Sequence, residues 1–179
     1  VWFCINLSYY GAFIWIPSIL VGRGFPLVRS FGFTLIITLA QLPGYAVAAW
    51  LIEVWGRRIT LSVFLLGSAI SAGLFGFAPT ETLIIVFGCM LSFFNLGAWG
   101  ALYAVGPELY PTGVRGTGTG AAAGFGRIAS IITTSPWFVP VLLAVGGVAL
   151  PFSVFGVAFL IAAAAALLLP EQRGTALAA

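Results

Sequence analysis

The stretch that decides the fold is Pro107 to Arg127, PELYPTGVRGTGTGAAAGFGR. Its first half reads as a polar turn, because Pro107 and Pro111 stop a helix while Glu108 and Arg115 require water or each other. Its second half reads as a helix start made of small residues, with a lone arginine, Arg127, arriving once the chain is apolar again. On either side of this stretch the sequence is almost entirely apolar. The chain of 179 residues is 61% hydrophobic and 6% charged, against about 25% charged in an ordinary globular domain. A mean hydropathy of +1.16 agrees. The expected class is an all-α integral membrane protein, with the lipid bilayer as its solvent.

The remaining composition excludes several functions. Seven basic residues, all arginine, stand against four acids, all glutamate. They are too few and too scattered for a nucleic-acid surface, so no nucleic-acid partner is expected. Histidine is absent, which removes His-based metal sites and His-dependent acid/base chemistry. With no Asp or Lys either, and with the glutamates at helix ends, neither an enzyme nor a cofactor is expected. Cys4 and Cys89 both sit in apolar runs and read as packing residues. Val1 opens inside an apolar run without Met or a charged leader, which reads as a piece whose N-terminal part is missing.

A span needs about 20 mostly apolar residues, and six runs qualify, at 1–21, 31–51, 59–77, 82–105, 116–144 and 150–169. The polar GRGFPLVRS at 22–30 separates the first two, and the weakly marked VGGVALP separates the last two. Arg57, Arg58, Arg115 and Arg173 fall on one side of the membrane. Arg23, Arg29 and Glu81 fall on the other. The arginine bias therefore puts the even-numbered loops and the C-terminal tail in the cytoplasm, with a plasma or inner membrane as the setting.

Some runs carry polar groups at helical spacing. Asn6, Tyr9 and Tyr10 share a face of the first run and lie too near its middle for an interfacial belt, so they read as cavity-facing. Gln41 in the second run reads equally as cavity-facing or as glue between helices. Asn95, Trp99 and Tyr103 recur every four residues in the fourth run, among glycines, and suit a helix lining a pathway. The third and sixth runs are nearly pure aliphatic and Phe, and look outward to lipid.

The charges divide into two groups. Glu53, Arg57 and Arg58 close the second run, and Glu108 and Arg115 sit in the turn after the fourth. Because a carboxylate accepts arginine bidentately, these five read as one network locking the cytoplasmic ends of the helices. Arg127 lies about 16 Å into its run by the helical rise, close to mid-bilayer. There an arginine is expensive and faces a cavity or an acid. It either pairs with a carboxylate on the missing half or serves an anionic substrate; snorkelling to an interface is the bland alternative. Gly116, Gly120 and Gly124 repeat every four residues, a small-xxx-small pattern read as a tight helix crossing.

With these residues placed, the chain resembles the C-terminal half of a major facilitator superfamily transporter. WLIEVWGRR (50–58) resembles the superfamily's loop signature. PELYPTGVRG (107–116) resembles its P-E-x-x-P-x-x-x-R turn, and LPEQRG (169–174) is similar to the tail of sugar porters and their relatives. The resemblance implies one six-helix half-bundle of a twelve-helix fold, an N-terminal half as partner, a small-molecule substrate near the midplane and alternating access by rocking. The first run reads NLSYYGAFIWIP where sugar porters carry paired glutamines. That pattern, with GFGRI around Arg127, looks more like the niacin and aromatic-acid metabolite:proton symporters.

The expected function is therefore proton-coupled symport of a small organic anion such as an aromatic carboxylate. Asn6, Tyr9, Tyr10, Gln41, Asn95, Trp99 and Arg127 are the candidate substrate site. The alternatives are a sugar or neutral-metabolite porter and, from another class, a transport-inactive receptor or scaffold on the same fold. No acid lies inside the six runs, so a proton-coupling carboxylate is expected on the missing half.

Overall fold

The structure, a computed structural model, describes residues 1–170. The rest of the tail motif, with Glu171 and Arg173, lies outside the described residues, so the reading of the tail rests on sequence. Nine α-helices follow one another among the described residues: α1 (Trp2–Phe13), α2 (Ile16–Gly22), α3 (Leu27–Leu39), α4 (Gln41–Trp55), α5 (Arg57–Gly76), α6 (Glu81–Glu108), α7 (Arg115–Thr134), α8 (Phe138–Gly146) and α9 (Ala149–Leu167). A 3-10 turn at Thr112–Val114 precedes α7. Taken as one 29-residue span, α3–α4 joins α5, α6 and α9 as four helices long and apolar enough to cross a membrane. Counting the bent pairs α1–α2 and α7–α8 as one span each gives up to six. The chain is thus an all-α membrane half-bundle.

Prolines set the breaks. Pro17, in the first turn of α2, has no N–H to give the Phe13 carbonyl, and α1–α2 bends there by 41°. Pro136 forces Ser135 into an extended conformation, ψ 144°, and α7–α8 bends by 51°. That break leaves the Thr133 carbonyl without its helical donor, and the Trp15 indole Nε1–H donates to it at 2.9 Å. The two bends are thereby tied together. Pro43 leaves only a one-residue interruption, at Ala40, between α3 and α4.

Two boundaries differ from the sequence reading. The second span starts at Leu27, not after Ser30, because Pro26 occupies the N-cap and presets the entry to α3. Nor does Pro107 stop α6. Its ring removes the bond to the Tyr103 carbonyl, but the helix ends only one residue later, at Glu108.

The core forms where α5 packs on α9 and α6, with Phe64, Phe75, Phe152, Phe155 and Phe159 fully buried. Lipid tails are as apolar as these side chains, so contact between helices depends on close packing. Small residues allow it. At Gly44 the α4 backbone runs so near Phe93 of α6 that an added Cβ would lie against its carbonyl oxygen, 3.0 Å from the carbonyl carbon and 3.1 Å from Cα. Away from these contacts α5 exposes Ile70 and α9 exposes Ile161. These two helices supply core on one face and lipid contact on the other.

The glycine stripe of α7 is used differently from the sequence reading. A Cβ at Gly116, Gly120 or Gly124 would meet nothing within 4 Å, whereas one at Gly126 would lie 2.6 Å from Asn6 Nδ2 and 3.1 Å from the Trp2 carbonyl oxygen. The packed face of α7 is Gly126, Ala129, Ser130 and Thr133, at spacings of three and four. The Gly116–Gly120–Gly124 row is turned away from α1.

At the membrane face opposite Glu108, Arg29 pairs with Glu81 at 2.7 Å, and Arg23 Nη1 donates to the Ala78 carbonyl at 2.9 Å. These contacts join the α2–α3 turn to the α5–α6 turn, a link the sequence reading missed. The side chains of the ion pair are 57% and 36% exposed. Arg29→Ala should therefore shift stability by less than about 1 kcal/mol, read as an almost unchanged thermal midpoint in detergent.

Candidate functional site

The α1–α7 contact builds the site. Asn6 is buried on α1, where it accepts from Ser130 Oγ at 3.0 Å and donates to the Trp2 carbonyl at 2.9 Å. It ties the two helices together and does not line the hollow described next. One helical turn further on, Arg127 Nη1 donates to the Tyr10 hydroxyl at 2.6 Å, with its guanidinium carbon 5.8 Å from the Tyr10 ring centroid. Arg127 lies about 18 Å from the start of α7 by the helical rise. Among the described residues no carboxylate reaches ion-pair distance of it. At that depth a charged group needs a cavity or a partner.

Arg127, Tyr9, Tyr10, Tyr45, Leu96, Trp99 and Tyr103 line a hollow of about 180 Å³. Its wall is aromatic: Trp99 stacks on Tyr103 at 5.5 Å and 24°, and Tyr9 meets Trp99 edge-on at 5.6 Å. A cation at one end and ring faces along the wall suit a flat molecule carrying a negative group.

Four of the seven residues singled out from sequence, Tyr9, Tyr10, Trp99 and Arg127, meet in this hollow. Gln41 does not line it and is buried on α4. Asn95 is fully buried one turn from Trp99; neither its Oδ1 nor its Nδ2 has a partner, and the Trp99 Nε1 is also buried and unpaired. Tyr103, which the sequence groups with Trp99 on a pathway-lining helix, also lines the hollow, and Tyr45 is the residue the sequence reading missed, its signal being the four-residue spacing from Gln41.

The charge cluster lies where α4, α5 and α6 end together. Gly56, with φ 91°, makes a turn that a side chain would strain, so α5 starts at once with Arg57. Arg57 Nε donates to Glu108 Oε2 at 3.1 Å and Nη2 to Oε1 at 3.3 Å, a bidentate pair with side chains 18% and 20% exposed. Arg57 Nη1 also lies 3.6 Å from Glu53 Oε1. A cation at the start of α5 and an anion at the end of α6 both oppose the helix dipoles, so pairing, not capping, accounts for their placement. Arg58 follows within the first turn of α5. Arg115 donates from Nε to the carbonyls of Pro107 at 3.0 Å and Tyr110 at 3.3 Å, holding the turn closed instead of joining Glu108.

Multiple apolar spans around an aromatic, cationic hollow define a multi-pass membrane protein. The chain belongs to the major facilitator superfamily, as a C-terminal six-helix half. It is 49% identical over 173 residues to the putative niacin/nicotinamide transporter NiaP of Bacillus subtilis (strain 168), covering 96% of this chain and 43% of that protein. It is 55% identical over 131 residues to the niacin transporter NiaP of Acinetobacter baylyi, covering 73% of this chain and 30% of that protein. With rat solute carrier family 22 member 7 the identity is 32% over 177 residues, 97% of this chain and 31% of the relative. The chain spans less than half the length of these relatives. No protein-family model matches it.

Proposed function

We propose that this chain is half of a secondary transporter that carries a small aromatic or heterocyclic carboxylate, coupled to protons, by alternating access with an N-terminal half. The observation that carries the reading is Arg127. It sits deep in a span without an acidic partner among the described residues, and it faces an aromatic hollow through Tyr10. The relatives named for niacin and nicotinamide support a heterocyclic substrate. Arg127 binds the carboxylate, while Tyr9, Tyr10, Trp99 and Tyr103 take the ring. The Glu53–Arg57–Glu108 cluster closes the cytoplasmic side, as the arginine bias assigns it, in a plasma or inner membrane. The proton-coupling acid lies on the other half.

The test is uptake of labelled nicotinate, nicotinamide, benzoate and glucose by the complete transporter, at acid and at neutral pH. Nicotinate and benzoate uptake should rise at acid pH. Losing the paired charge is worth about 2–5 kcal/mol, so Arg127→Ala should cut carboxylate uptake about a hundredfold, with neutral nicotinamide less affected. Carboxylate uptake unchanged in Arg127→Ala removes the anion-site role. Glucose uptake indifferent to Arg127 moves the protein to the sugar porters.

A further inference from the structure

A second hollow adjoins the first on the Glu53 side, between α4 and α6. It has a volume of about 370 Å³ and is lined by Tyr45, Ala49, Ile52, Glu53, Gly100 and Ala104. Tyr45 lines both hollows. Its ring lies against bare backbone: a Cβ at Gly100 would stand 2.9 Å from Tyr45 Cδ1 and 3.1 Å from Cε1. One turn earlier on α4, Gln41 is buried, and at Gly44 the α4 backbone lies against the Phe93 carbonyl of α6, so the backbone carrying Tyr45 is anchored. The Tyr45 side chain is not, being 42% exposed. The two hollows also differ in charge. One ends at Arg127 and the other at Glu53, whose side chain is 71% exposed.

We infer that Tyr45 is the barrier between the Arg127 hollow and the passage toward Glu53, an inference that rests on reading the first hollow as the anion site. Seated on Gly100, the ring closes that site from the Glu53 side. Swung off, it joins the two spaces into one trough along α4 and α6. An anion moving along the trough loses the Arg127 charge and meets Glu53, which Arg57 at 3.6 Å only partly offsets, so it is held less tightly in the second hollow. Gly100 is part of the device, because any side chain there displaces the ring.

The test needs no substrate. In the complete transporter with Cys4 and Cys89 replaced by serine, reporter cysteines are placed at Leu96, in the upper hollow, and at Ala104, in the lower one. A membrane-impermeant thiol reagent is then added from the Glu53 side only. With Tyr45 present, the Ala104 reporter should label faster than the Leu96 reporter whenever the Glu53 side opens. A minor open state is populated at about 10% or less, so Tyr45→Ala should speed labelling at Leu96 about tenfold or more and leave Ala104 unchanged. Gly100→Ala should do the same while keeping the ring. Equal Leu96 labelling with and without the ring, fast or slow, overturns the assignment while Ala104 still labels as the control for folding. That result would leave the anion reading standing, since the latter is decided by uptake in Arg127→Ala.

Discussion

Gly44→Ala is expected to destabilise the bundle by about 3 kcal/mol, the upper range for forcing a methyl group into a filled contact. The added carbon would lie against the Phe93 carbonyl of α6. A backbone carbonyl in mid-helix cannot rotate away, so α4 and α6 must separate. The same crossing holds Tyr45 on one helix and Leu96 and Trp99 on the other, which line one hollow. Transport should therefore fall along with stability. Gly120→Ala is the control: nothing lies within 4 Å of a Cβ there, and alanine favours a helix by about 1 kcal/mol over glycine. Thermal unfolding of the complete transporter in detergent, followed by tryptophan fluorescence, should show a lowered midpoint for the first variant and none for the second. Equal losses at both positions would mean that a surface outside this chain packs on the Gly120 row.

Breaking the Arg57–Glu108 pair is expected to shift the transporter toward its cytoplasm-open state. Removing one partner of a fully buried pair costs about 3–5 kcal/mol. Here the side chains are 18% and 20% exposed, and solvent reduces the effect to about 2 kcal/mol, or roughly thirtyfold in an equilibrium. Glu108→Gln and Arg57→Ala should each lower the uptake rate while substrate binding persists. The exchange Arg57→Glu with Glu108→Arg should restore transport in part. It aligns both charges with the helix dipoles, yet it puts a second carboxylate four residues after Glu53, a repulsive spacing. Uptake rates and binding measured across the single and double variants check this. No recovery in the exchange would reduce the pair to a topology marker.

Composition alone settles the class of the molecule. Hydropathy and the scarcity of charge require a membrane bundle, because nothing else keeps so much apolar surface from water. Spacing alone also put Tyr9, Tyr10, Trp99 and Arg127 forward, since a polar or charged group deep in a span must face something other than lipid. What the sequence could not decide was which residues meet. Asn6 and Tyr9 share a run, yet one ties α1 to α7 and the other lines the hollow, a difference set by helix rotation against neighbours distant in sequence. The Gly116–Gly120–Gly124 row has the spacing of a crossing, but the packed face of α7 lies a fraction of a turn away, at Gly126. Arg115 stands seven residues from Glu108 and still gives its Nε–H to the carbonyls of its own turn. Arg57, fifty-one residues away, takes Glu108 because Gly56 starts α5 where α6 ends. The position of a charge along a span is local and can be read from the chain. Its partner is set by how helices lie side by side, which only the tertiary structure supplies.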